Sequence, residues 1–344
     1  MKFILSFVLL LSFFAFNCKS PTAPKQNNPP DTTSNNFTWQ KYYFGVGGYT
    51  LLNDVAIVND SDIWAVGSIY LNDSTGKVDP LPYGFAKWDG HNWNIFRLKA
   101  TASNGNTSNA EPNGILVFSE NDIWFADGSI FYWDGKQLRF SLERYTFFNG
   151  GKESIEKLWG TSNDNIYGVG TLGTLVHFDG QAWQKIESGT KTSITDIWGS
   201  GNTILATVTN EYETGDKRLL QINPNGTVDS LNWSPNSRLQ TVWFQSTDKI
   251  FIGGGKNIVG KPGDWKEITE LPAYYSEKVR GNAPNDVFIV GAFGLCAHFN
   301  GSTWKVYNEL YNQDESLYGL AVKGNLMVAV GQLGNRALII IGKR

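Results

Sequence analysis

This chain has little to offer redox, metal or nucleic-acid chemistry. Its only cysteines are Cys18 and Cys296, its only histidines His91, His177 and His298, and its net charge is −3 with no basic cluster. With one cysteine early enough to belong to a leader, a disulfide framework is excluded. The Cys and His spacings match no zinc pattern, and nucleic acid has no electrostatic footprint to bind. Nucleophile-elbow and phosphate-loop signatures are missing as well, so neither catalysis nor a cofactor is expected. One long apolar run exists, Phe3 to Phe16; it is too short and wrongly flanked for a transmembrane span.

That run follows Lys2 and reads as a signal peptide over residues 1–17. Its end, Ala15-Phe16-Asn17-Cys18, resembles a bacterial lipobox, although Ala15 and Asn17 depart from the usual Leu and Gly or Ala. The resemblance implies a lipid on Cys18. Residues 18–36, rich in Pro, Asn, Ser and Thr, cannot bury enough surface to fold and read as a disordered tether. Lys19 is not the acidic residue that retains lipoproteins in the inner membrane, so a lipid-anchored outer-membrane address is expected, on either side of that membrane.

What is abundant is glycine and tryptophan, in a repeating arrangement. Hydrophobic anchors recur at Ile63, Ile123, Ile166, Ile204, Ile250, Val287 and Leu326. Apart from the long gap between the first two, they stand near the ~40–50 residue period of a propeller blade. Around Ile166 the chain spells out one unit: a run ending at Trp159-Gly160, a turn at Asn163-Asp164-Asn165, then Ile166 to Gly170, Thr174 to Phe178, Asp179-Gly180, and Trp183 to Ile186. Four short strands with turn signals between them form an antiparallel sheet. All thirteen tryptophans fall on repeat positions, with Trp233 assigned to a fourth strand like Trp183. The seventh repeat stops after three strands, whereas Thr38-Trp39-Gln40-Lys41 matches Ala182-Trp183-Gln184-Lys185. The fold expected over residues 37–344 is therefore an all-β, seven-bladed propeller of four-stranded antiparallel blades, the last blade closed by the N-terminal strand.

The turns FDGQAW at 178–183, FNGSTW at 299–304 and WDGHNW at 88–93, each preceded by an Asn-Asp-Ile-type strand, resemble secreted bacterial propellers of the YCF48-like, BNR-like and two-component-regulator-propeller groups. The resemblance implies fold more than function, because Asp-Gly and Asn-Gly are favourable hairpin turns anywhere.

His177 and His298 share one repeat position, which points to packing, and Cys296 falls in an apolar slot. Arg280 replaces the tryptophan found at Trp159, Trp198 and Trp243; it would either line the channel toward an anionic ligand or pair with a buried acid. Loop lengths are asymmetric. Turns between first and second strands, and between third and fourth, are tight. The segments 68–82, 99–113, 141–153, 209–218, 269–278 and 307–316 are long, and all project from one face. That face carries Phe147 together with Tyr70, Tyr83, Arg144, Tyr145, Phe148, Tyr212, Tyr274, Tyr275 and Tyr311, and the latter nine with Arg280 are the ligand-binding candidates. The expectation is a monomeric, non-catalytic envelope lipoprotein binding a protein partner through this loop face. A glycan is the alternative ligand, and a lyase or glycoside hydrolase a more distant reading.

Overall fold

The computed structural model describes residues 32–101, 105, 107–209 and 215–344. The signal peptide, Cys18 and Tyr212 lie outside the described residues. Seven sheets succeed one another along the chain. Blade one is built from Leu51–Asn59, Asp62–Ile69, Tyr83–Trp88 and Trp93–Phe96, and the first strands of blades two to seven begin at Gly114, Ile155, Ile194, Leu239, Ser276 and Glu315. First strands of neighbouring blades touch all the way round, blade seven meeting blade one, so they line the axis. Thr38–Phe44 pairs antiparallel with Arg336–Lys343, Trp39 opposite Gly342, and supplies the fourth strand of blade seven. The ring closes as the orphan Trp39 strand requires.

Alternation along the strands explains the stacking. In blade seven, Leu326, Val328 and Val330 pack toward blade one, while Met327 and Ala329 between them pack toward blade six. Side chains of opposite parity thus fill opposite interfaces, and each of the seven interfaces holds its own apolar cluster. On the tight-turn face, Asp179 Oδ1 accepts from the backbone N–H groups of Gln181 and Ala182 while Gly180 sits at φ +88°. Asp89, Asp134 and Asn300 do the same at the equivalent turns.

Three expectations are corrected. The segment 99–113 is not a loop: Leu98–Thr101 and Thr107–Ala110 form a hairpin that extends blade two to six strands, Thr101 lying parallel to Arg139 of the fourth strand. Leu98, Ala100 and Ala110 anchor it in the cluster between blades one and two, which accounts for the long gap between Ile63 and Ile123. Trp233 lies beyond the fourth strand of blade four, which ends at Leu231. The tether boundary at residue 36 falls inside a docked segment. Thr33 donates to Asn285 O at 2.6 Å, His298 Nδ1 meets Asn35 Oδ1 at 2.6 Å, and Tyr307 donates to Asn35 O.

Candidate functional site

In six of the seven first strands, pairing with the second strand skips one residue near the start: Asn53, Glu156, Thr195, Gln240, Glu277 and Tyr318. Blade two repeats the irregularity, since the Asn113 N–H bonds to Ala126 O, the residue opposite Gly114. A bulge leaves its extra residue out of the ladder and re-aims its side chain. All seven of these polar side chains line one cavity of about 640 Å³ at the mouth of the central channel. Because first strands are entered from the blade-to-blade connections, the mouth opens on the loop face. The ring is cross-linked: Asn53 Nδ2 donates to Asn113 Oδ1 at 2.8 Å, Asn113 Nδ2 to Glu156, and Tyr275 Oη to Gln240 Oε1 at 3.1 Å.

Ion pairs bridge the bore beneath. Lys157 reaches Asp54 at 3.4 Å, and Lys278 reaches Asp196 at 3.2 Å, each pair joining blades that are not neighbours. Arg280 adds two bonds to Asp196, at 2.9 and 2.8 Å, and lies over the Trp198 ring. Burial opposes ionisation of Asp196, but Arg280 and Lys278 outweigh it and hold the carboxyl well below the ordinary range. The Lys278 ammonium is brought down to about 8 by burial, against the pull of Asp196. Higher in the mouth, burial pushes the Glu277 carboxyl up, and burial together with Glu277 pushes Tyr275 up to about 12. The arrangement can donate and accept hydrogen bonds around a full circle, and the charges nearest its floor are already used on one another.

Of the residues singled out from sequence, the structure brings few together. Tyr275 is in the mouth, stacked 5.0 Å from the Arg238 guanidinium. Arg280 is not offered to a ligand but pairs with a buried acid, since Asp196 is almost wholly inaccessible. Tyr274 and Tyr311 meet beside the mouth in a second, smaller cavity. Tyr83 lies under Arg97, which is itself bound to Asp79, and Tyr70 is half-buried over Gly48. Phe147 and Phe148 pack against each other and onto the cluster between blades two and three, whereas Tyr145 stands exposed beneath the Arg144 guanidinium. His177 and His298 stack on Tyr167 and Phe288 in matching geometry, 4.2 and 4.3 Å, and their Nε2 atoms meet Asn165 and Asp286 at 2.8 Å. The bulge residues escaped sequence reasoning. Their signal is a polar residue eight to ten positions ahead of each anchor, near the start of the first strand.

No family model matches the sequence, and no curated protein does. Solved structures do. A YCF48 bound to D1 peptide aligns with a TM-score of 0.66 at 14% identity, over 92% of this chain and 99% of that one. YCF48 from Cyanidioschyzon merolae gives 0.62 at 12% identity, over 89% and 98%. The Pan2 WD40 domain of Neurospora crassa gives 0.55 at 12% identity, over 85% and 89%. These likenesses establish the propeller fold.

Proposed function

We propose that this chain is a non-catalytic binding propeller of the bacterial envelope, recognising a protein partner at the mouth of its channel. The observation that carries the reading is the ring of seven bulged polar side chains around one cavity of about 640 Å³. A repeat that spends a bulge in every blade on presenting a polar group, rather than on packing, is arranged for recognition. The peptide-bound YCF48 similarity adds that a propeller of this shape takes a polypeptide ligand. Against catalysis stands the mutual consumption of the axial charges, Lys157 by Asp54 and both Lys278 and Arg280 by Asp196. Against a glycan stand the exposed rings of the loop face, which form no flat platform: Tyr274 meets Phe293 at 70° and Tyr311 at 33°.

An outer-membrane lipid anchor at Cys18 fits the same picture. Thr33 and Asn35 are held by Asn285, Asn300 and His298 on the tight-turn face. A chain tethered through its N-terminus would therefore have its tether emerge at that face.

The test is site-specific photo-crosslinking in cells, with the photoreactive residue at Gln240 or Tyr318 in the mouth and, as controls, at Gln181 or Ser302 on the tight-turn face. One envelope protein captured reproducibly from the mouth alone is the expected result. Equal capture from both faces, or capture of glycan only, overturns the reading.

A further inference from the structure

A second cavity, of about 330 Å³, opens beside the mouth between the connections 269–278 and 307–316 and the short turn after the second strand of blade six. Four aromatic side chains line it, Tyr307 buried at its base and Tyr274, Phe293 and Tyr311 toward its rim. Tyr274 lies 5.0 Å from Phe293 in an edge-on contact and 6.2 Å from Tyr311. Phe293 and Tyr311 stay 41% and 54% exposed.

Phe293 is the telling residue. Its backbone sits at φ +60°, a left-handed conformation that glycine or asparagine takes without strain and a bulky aromatic does not. The turn is pinned there by backbone bonds from Asn312 N to Phe293 O and from Gly294 N to Glu315 O. Leu172 takes the same conformation at the equivalent turn of blade three, so the turn belongs to the repeat; in blade six it carries a half-exposed ring that meets Tyr274 edge-on.

Of the cations near the rings, Lys41 is taken up by Glu315 at 2.9 Å and Lys305 lies over the Tyr307 ring. Among the described residues Glu270 is the one ionised side chain lining the cavity, and neither it nor Glu309 makes an ion pair there. Glu309 acts on the floor: burial first, and then the Glu309 carboxylate, push the Cys296 thiol up. Rings whose faces are electron-rich, with carboxylates beside them that make no ion pair among the described residues, attract a cation carried on an apolar body.

We infer that this aromatic cup receives an arginine or lysine side chain of the protein partner, its apolar stem lying against Tyr274, Phe293 and Tyr311 and its charge beside Glu270 and Glu309. The inference rests on the protein-partner reading for the origin of that side chain, but its test needs no partner, so either can fail alone. The intact chain is labelled with fluorotyrosine, and the Tyr274 and Tyr311 resonances are followed by NMR during titration. The probes are N-acetylarginine methylamide, its neutral analogue N-acetylnorleucine methylamide, and tetramethylammonium. The arginine probe is expected to shift both resonances and to bind about ten-fold more tightly than the norleucine probe. Glu270→Gln with Glu309→Gln should erase that preference, and Phe293→Gly, which relieves the backbone, should weaken binding without unfolding the protein. Equal binding of the norleucine probe, a preference for tetramethylammonium over arginine, indifference to both carboxylate substitutions, or no shift with any probe would each overturn the inference.

Discussion

The two faces of the ring are built from the same repeat and treat their polar groups in opposite ways. On the tight-turn face, Asp89, Asp134, Asp179 and Asn300 each cap two backbone N–H groups of their own turn. There Asp286 is shared by His298, Asn282 and Arg344. On the loop face, buried side-chain atoms find no partner among the described residues: Ser68 Oγ, Thr171 Oγ1, Ser276 Oγ, Asn257 Oδ1 and the Nε atoms of Arg97, Arg144 and Arg238. Apart from four indole N–H groups, every such atom lies toward that face. Buried polar groups are ordinarily satisfied. One face therefore uses its polarity on its own turns, and the other leaves several buried polar atoms without a partner among the described residues.

The largest effect that sharpens this contrast is expected at the channel floor, where the loop-face site meets the structural core. Asp196→Asn leaves Lys278 and Arg280 buried without a counter-charge and should cost ~3–5 kcal/mol in denaturant unfolding, because one partner of a buried network has been removed. Lys278→Met should cost far less or gain stability, since Arg280 still neutralises Asp196. If both substitutions proved equally damaging, the floor would not be the ion pair described.

Asp286 comes next. Burial would raise its carboxyl, but bonds from His298, Arg344 and Asn282 bring it down to about 2. A carboxyl lower in the folded than in the unfolded state contributes stability that is complete above the unfolded value, near ~4, and disappears as pH falls through the folded one. Melting temperature should therefore fall steeply between pH ~4 and pH ~2, by the equivalent of about 2 kcal/mol, and Asp286→Asn should flatten that window. A variant that follows the parent curve through the window contradicts the clasp.

Smaller still is Gly180→Ala at a tight turn, where φ is +88° and an added Cβ would stand 2.8 Å from the Asp164 Cβ. About 1 kcal/mol of stability should be lost with partner binding intact. The smallest stability change is expected from Gln240→Ala or Tyr318→Ala in the mouth, within ~0.5 kcal/mol, although these variants should lose the partner. Thermal melts and cross-linking yields on one set of samples separate the two outcomes.

The blades could be read from the chain because each carries its own punctuation. Asp-Gly and Asn-Gly turns, anchors such as Ile166 and Val287, and the match of Trp39 to Trp183 are local signals, and together they require seven blades and a shared last one. The hairpin at 98–110 was hidden because Thr107, Ser108 and Asn109 read as a polar loop, its apolar alternation resting on Leu98, Ala100 and Ala110. The mouth was hidden for a different reason. A propeller site takes one residue from each blade, and nothing local in Asn53 or Gln240 announces a bulge. The partner of Arg280 was beyond sequence because Asp196 lies two blades away. Loop aromatics such as Tyr83 and Phe148 looked like binding groups, yet the chain packs them under its own loops.

The most direct test of the claim that the mouth is the recognition surface compares two matched triple variants in cells: Lys191→Ala, Gln240→Ala and Tyr318→Ala at the mouth, against Lys136→Ala, Gln181→Ala and Ser302→Ala on the tight-turn face. Both should melt within a few degrees of the parent. Quantitative co-purification of the partner identified by cross-linking should then fall at least about ten-fold for the mouth set, the equivalent of some 1.4 kcal/mol, and stay at the parent level for the other. Loss from the tight-turn set, or retention by the mouth set, would contradict it.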